Sequence, residues 1–327
     1  MKRVLINGAK GMLSAQAAQV LSQHHDVIVL GQQPPTAPIG KADWLVARLD
    51  RHQLLELLRH EQIDTVVHCD LLGFDEPLPD HETTVQHNVI GTMELLGACR
   101  AAGIRHVVLR SHGWIYGASP LNPLLISEER PIKTQHSRGL LRTLGEVEQV
   151  VADFASRHPQ ITVTVLRYAP LLDQDSPLMR YLRAPAPQML FGFDPMIQLL
   201  HLTDAAQAVL AAVQQPIGGA FNLAPAQSMP LSQVIRRLGH QPVPVLGPLF
   251  DNQPPAGWPF DVDFLRYRCT IDPERACRLL GWSAHYDMAT ALDTLKPLSP
   301  EEERATAARA LDEFFNRRRM HDERRAG

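Results

Sequence analysis

Hydrophobic positions in the first half of the chain switch between two periods. Five short apolar runs read as buried parallel strands: Arg3-Val4-Leu5-Ile6, Asp26-Val27-Ile28-Val29-Leu30, Thr65-Val66-Val67-His68, His106-Val107-Val108-Leu109-Arg110 and Ile161-Thr162-Val163-Thr164-Val165-Leu166. Between them, Ala15 to Ser22, Leu54 to Leu58, Asn88 to Ala102 and Leu140 to Ser156 carry apolar residues at helical spacing. Gly103 stands where a helix C-cap is expected. Strands alternating with helices imply βαβ units, and hence an α/β fold with a doubly wound parallel sheet covered on both faces. After Leu166 the pattern changes. The stretch 169–200 is rich in Pro and Leu without clean periodicity. Thr203 to Val213 reads as a helix, with Thr203 or Asp204 near its start. Residues 240–260 hold six prolines and three aromatics, which suggests an irregular lobe.

The tail has its own pattern. Ser299 is a helix N-cap, Pro300 a first helical residue, and Glu302 lies three residues after the cap. Ala307, Leu311, Phe314 and Phe315 then share one face, and Arg317-Arg318-Arg319 suits a helix C-terminus. A helix over 298–327 would dock on its own domain or offer a surface to a partner.

Composition narrows the class. The 327 residues are 45% hydrophobic and 20% charged, a globular balance. The net charge of −3 argues against a nucleic-acid protein held by counterion release. No apolar run approaches the roughly 20 residues of a membrane helix. A strand starting at Lys2 leaves no room for a signal peptide. Cys69, Cys99, Cys269 and Cys277 form no CxxC pair, so neither zinc nor a disulfide scaffold is expected, and the default location is the cytoplasm. The 15 histidines scatter without metal-ligand spacing, so no metal is expected.

The turn after the first strand reads Asn7-Gly8-Ala9-Lys10-Gly11-Met12-Leu13-Ser14. Glycines before a helix let backbone N–H groups approach a pyrophosphate. Other segments follow in order: Asp64-Thr65-Val66-Val67-His68, Asn88-Val89-Ile90-Gly91-Thr92, Tyr116-Gly117 and Leu166-Arg167-Tyr168-Ala169-Pro170. Then come His201-Leu202-Thr203-Asp204-Ala205-Ala206, Phe221-Asn222-Leu223 and Leu279-Leu280-Gly281-Trp282. In these segments the chain resembles the extended short-chain dehydrogenases/reductases of the NAD-dependent epimerase/dehydratase family, over about residues 2–297. The resemblance implies a Rossmann-like domain over 1–168 with a return segment near 198–225. It also implies a smaller α/β lobe over 169–297 that holds a small molecule or a protein ligand in the cleft between them. A homodimer built on the helices near Asn88 and over Leu140 to Ser156 is implied as well.

The same resemblance places the cofactor and the chemistry. NAD or NADP would contact Gly8, Ala9, Lys10, Gly11, Met12 and Leu13, then Gln32, Asp50, Cys69 and Asp70. Asp50 matches a position on the adenine side. Gln32 offers neither the carboxylate that suits NAD nor the cation that suits NADP. Asp70 would bring a like charge near the phosphates. The family's acid–base pair is Tyr-x-x-x-Lys-x-x-x-Glu, with a Ser or Thr on the substrate oxygen. Aligned on Glu148, Leu140 takes the Tyr position and Leu144 the Lys position; aligned on Glu146, Arg138 and Arg142 do. The Ser position holds His112, beside Ser111. Leu has no proton to exchange. The expectation is a homologue that binds a ligand or partner without the usual catalysis. The alternative is an NAD(P)-dependent oxidoreductase or epimerase acting on a sugar nucleotide or other carbonyl compound, with His112 or Tyr168 as substitute acid/base. Tyr116 reads as structural. Arg180 and Arg183 would meet a substrate pyrophosphate in the lobe. Met189, Leu190, Phe191, Phe193, Met196 and Ile197 would form the core of that lobe or line an apolar cleft.

Overall fold

The computed structural model describes residues 1–8, 11–34, 39–74, 79–134, 139–173, 176–247, 258 and 260–295. The strands are β1 (Arg3–Asn7), β2 (Asp26–Gly31), β3 (Asp43–Val46), β4 (Thr65–His68), β5 (His106–His112), β6 (Thr162–Tyr168), β7 (Gln188–Leu190), β8 (Met196–Ile197), β9 (Gly219–Leu223), β10 (Met229–Pro230) and β11 (Val243–Val245). The helices are α1 (Met12–Leu21), α2 (Arg51–His60), α3 (His81–Val85), α4 (Gly91–Ala102), α5 (Gly139–Arg157), α6 (Pro177–Leu182), α7 (Leu202–Gln214), α8 (Leu231–Arg237), α9 (Glu274–Leu280) and α10 (Met288–Asp293). A π-helical turn, Gln86–Ile90, leads into α4.

Seven strands form one sheet in the order β3-β2-β1-β4-β5-β6-β9, and every neighbouring pair is parallel. The strands on either side of β1 are therefore wound in opposite directions, and a crevice opens between the carboxyl ends of β1 and β4. β4 and β5 are buried at every position, which explains their unbroken apolar runs. The five strands expected from sequence are all present. Two were not: β3, an edge strand whose burial is only partial, and β9, which the pattern of apolar residues did not separate from its surroundings.

α1 packs on α7, while α2 packs on α4 and α4 on α5. Gly103 ends α4 in the left-handed conformation, φ 79°, as expected. α7 starts at Leu202, one residue before the sequence reading, with Thr203 and Asp204 in its first turn. His201 is its cap, its Nδ1 accepting from Thr203 N. Asp204 is buried and accepts instead from the backbone N–H groups of His285 and Tyr286. The remaining strands form two small sheets, β7 with β11 and β8 with β10. Of the apolar residues expected there, Met189, Leu190 and Ile197 are buried, Met196 is half-buried, and Phe191 and Phe193 are exposed. The tail over 298–327 lies outside the described residues.

Candidate functional site

A cavity of about 720 Å³ lies at the carboxyl ends of β1, β2 and β4. Gly8, Gly11, Gln32, Asp50 and Asp70 line it, as do Arg48 and His87, which the sequence did not single out. Gly8 has φ +100°, and a Cβ there would lie 2.2 Å from Asp70 N, so no other residue fits this turn unaltered. Gly11 has φ +109° and precedes α1, whose first turn has no side-chain cap and no acidic residue. Unspent N–H groups at a helix start are what an anion uses. Ser14, in place of a third glycine, donates to Gly8 O at 2.5 Å and braces the turn. Met12 and Leu13 are not among the lining residues: Leu13 is in the core and Met12 packs against it. Cys69 is buried and does not line the cavity. Ala9 and Lys10 lie outside the described residues.

Asp70 does not stand alone. His87 Nε2, on the π-helical turn, is 3.3 Å from Asp70 Oδ1. Burial pushes the Asp70 carboxyl up, but the His87 imidazole, with His68 and Arg48 nearby, holds it below its usual value. The same contact raises His87 against its own burial. The like charge expected near the phosphates thus faces an imidazole whose protonated form it favours. Asp50 caps α2: its Oδ1 accepts from His52 N at 2.8 Å and Gln53 N at 2.9 Å.

The expected catalytic positions look different. His112 ends β5 at 5% exposure, and its Nδ1 accepts from Trp114 N at 3.0 Å. The rings of Phe74, Trp114 and Phe260 surround it, with centroids 6.3, 5.7 and 5.7 Å away. Burial, helped by the charge of Arg110, lowers its pKa to about 3, so the imidazole is neutral. Leu140 and Leu144 are buried on α5, with Leu144 wholly inaccessible. Glu148, one turn further along, receives Ser111 Oγ at 2.5 Å and Arg167 Nη2 at 2.6 Å. Arg167 Nη1 donates to the Tyr116 hydroxyl at 2.6 Å, and that hydroxyl donates to Asn222 Oδ1 at 2.8 Å. The hydroxyl beside His112 is therefore spent within the core. Glu146 instead pairs with Arg142 near the surface.

Tyr168 is buried, its hydroxyl 3.4 Å from Ala205 O on α7. Arg183 donates to Leu295 O at 2.9 Å, Arg180 is exposed, and neither lines the cavity. Among the described residues no three His, Cys, Asp or Glu side chains converge as metal ligands. None of the described helices is long and apolar enough to cross a membrane.

Comparison with known proteins bears on this arrangement. An uncharacterized protein of Mycobacterium tuberculosis is 32% identical over 256 residues, covering 75% of this chain and 68% of its own. The 3-diazoavenalumate denitrifying reductase of a Streptomyces species is 26% identical over 306 residues, covering 88% of this chain and 90% of its own. Among solved structures, the UDP-glucose 4-epimerase of Bifidobacterium longum in complex with NAD+ and UDP superposes with a TM-score of 0.72. It is 17% identical, covers 89% of this chain and 96% of its own, and shares the fold. Residues 4–224 match the NAD dependent epimerase/dehydratase family, and with that match spanning most of the sheet and its crevice, this chain belongs to that family.

Proposed function

We propose that this protein binds a nicotinamide dinucleotide in the β1–β4 crevice but does not run the family's proton-coupled exchange at a substrate hydroxyl, and that it acts through what it binds. One contrast carries the reading: Gly8 and Gly11, both at positive φ, line a cavity at the head of α1, whereas the family's catalytic positions hold Leu140, Leu144 and a neutral, enclosed His112, none of which lines that cavity. When bound, a nicotinamide dinucleotide supplies or accepts hydride. The chain's part in the usual reaction would be to move the accompanying proton, a contribution of about 10²- to 10⁴-fold. Leu140 and Leu144 cannot move one. Tyr116 is held by Arg167 and Asn222, and burial pushes its hydroxyl up to about 12. Burial also raises the Tyr168 hydroxyl well above its usual value. At neutral pH His112 offers no charged form to donate from, and Trp114 N occupies its Nδ1.

The test is to titrate NAD, NADH, NADP and NADPH by calorimetry and to assay NAD(P)H-linked turnover on a sugar-nucleotide and ketone panel. Binding of a dinucleotide without turnover is expected. Turnover abolished by His112→Ala overturns the non-catalytic half; absence of binding by all four overturns the other half.

A second reading is favoured by the relative named 3-diazoavenalumate denitrifying reductase, because it aligns along 88% of this chain. Hydride delivered to the ring carbon of an aryl diazonium forms the C–H bond as N₂ leaves with the C–N electrons. No general acid is needed, so a site without Tyr and Lys could support it. Oxidation of NADH or NADPH by an aryl diazonium compound, dependent on the protein, would select this reading.

A further inference from the structure

We infer that the dinucleotide site, on the binding reading above, selects the 2′-phosphorylated cofactor, and that Arg48 is the residue that selects it. In a doubly wound sheet the adenosine ribose lies at the carboxyl end of the second strand, where a carboxylate takes the ribose hydroxyls or a cation takes a 2′-phosphate. Here β2 runs out in Gly31, followed by Gln32, Gln33 and Pro34, all lining the cavity and none acidic. Gln amides can donate to a phosphate and do not repel it.

The cation comes from the neighbouring strand. β3 pairs with β2 so that Val46 faces Gly31, and Ala47 N continues the ladder onto Gly31 O at 2.9 Å. Arg48 is the next residue. It follows the last rung, where the chain also leaves β2, and it lines the same cavity. It is exposed, and among the described residues it makes no hydrogen bond or close ion pair, so its guanidinium is available. A planar guanidinium matches phosphate with two parallel N–H···O bonds.

The other charged groups lining the cavity are Asp50, Arg51, Asp70, Glu82, His87 and Glu94. The Oδ1 atom of Asp50, the nearest carboxylate in sequence, caps α2. Asp70 faces His87. Arg51 lays its guanidinium over Gly97 of α4, where an added Cβ would meet Nη2 at 3.6 Å. Glu94 lies one turn before Gly97 on that helix. Arg48 combines a place beside the end of β2 with a guanidinium that makes no hydrogen bond or close ion pair among the described residues, and its charge also reaches Asp70 and His87.

The experiment compares NADP with NAD, and adenosine 2′,5′-bisphosphate with adenosine 5′-monophosphate, by calorimetry on the full chain and on Arg48→Ala. NADP and the bisphosphate are expected to bind about tenfold or more tightly than their counterparts. Arg48→Ala should erase that preference by weakening NADP and the bisphosphate about tenfold more than NAD and the monophosphate. NAD binding as tightly as NADP, or Arg48→Ala weakening all four ligands equally, overturns the selection while the binding reading stands. Failure of every ligand to bind the unaltered chain overturns the binding reading itself. Arg48 is exposed, so an unchanged melting temperature shows that the variant is folded.

Discussion

At Gly8 the chain leaves no room for a side chain: φ is +100° and an added Cβ would lie 2.2 Å from Asp70 N. Gly8→Ala is therefore expected to cost about 1–3 kcal/mol of stability and to weaken dinucleotide binding at least tenfold, read by urea unfolding and calorimetry. An Ala variant that binds as the parent does would remove this turn from the site. The Asp70–His87 contact makes a different prediction. His87 is raised above its unfolded value, so its contribution is complete at low pH and fades as pH climbs through the raised value. Asp70 is lowered, so its contribution holds above the unfolded carboxylate range and is lost only as pH falls through the lowered value. The pair is strongest between those limits. From pH 6 to pH 8 the parent should lose a few tenths of a kcal/mol relative to His87→Gln, small because solvent reaches both side chains. Equal slopes for the two proteins in urea unfolding would exclude the pairing. Asp70 could be placed from the sequence because it follows a clear strand. His87 could not: only the fold brings positions 70 and 87 together, across the segment between β4 and α4.

α5 works as an element by burying a leucine pair and a carboxylate on successive turns of one face. Glu148 is the hub, since it holds both Ser111 and Arg167, and Arg167 in turn holds Tyr116. Removing one partner of a buried pair leaves the other charged and unpaired. Glu148→Ala is expected to destabilise by about 3–5 kcal/mol, whereas Glu146→Ala, which breaks only the exposed pair with Arg142, should change stability by less than about 0.5 kcal/mol. Thermal unfolding of the two variants separates them, and equal effects would mean that the network does not carry α5. Elements with a strong period were legible: five strands and the main helices of the sheet follow directly from apolar spacing. β3 was not, because Asp43-Trp44-Leu45-Val46 is an edge strand whose burial is partial. The cap of α7, His201, was not singled out because a histidine Nδ1 does the work usually given to Ser, Thr or Asp. The enclosure of His112 was also hidden. It depends on Phe74 and Phe260, which lie far from it in sequence.

The molecule as a whole keeps three histidines neutral in the two central strands. His68, on β4, is lowered to about 4, His106, at the start of β5, to about 4, and His112, at its end, to about 3. Burial is the main cause in each case, and Lys2 and Arg110 add to it at His106 and His112. His68 and His106 are also hydrogen-bonded through Nε2 to the hydroxyls of Thr92 and Thr164. A histidine count could not show this, since burial and not number sets the charge. The sign follows from proton binding. Below about pH 6.5 the unfolded chain takes up these protons and the folded chain does not, so folding loses stability as pH falls. At pH 5 each site costs roughly 2 kcal/mol relative to neutral pH. Three such sites amount to roughly 6 kcal/mol, comparable with the whole stability of many domains. Urea unfolding should therefore show most of the stability gone between pH 7 and pH 5. His106→Gln, which keeps a polar group toward Thr164 but cannot titrate, should be flatter over that interval by about a third of the loss. A parent protein equally stable at both pH values would mean these imidazoles are solvated when charged. The same reasoning governs the binding experiments. A dinucleotide that fails to bind at pH 5 would report a molecule coming apart along β4 and β5, so binding at the Gly8–Gly11 turn must be judged at pH 7 or above.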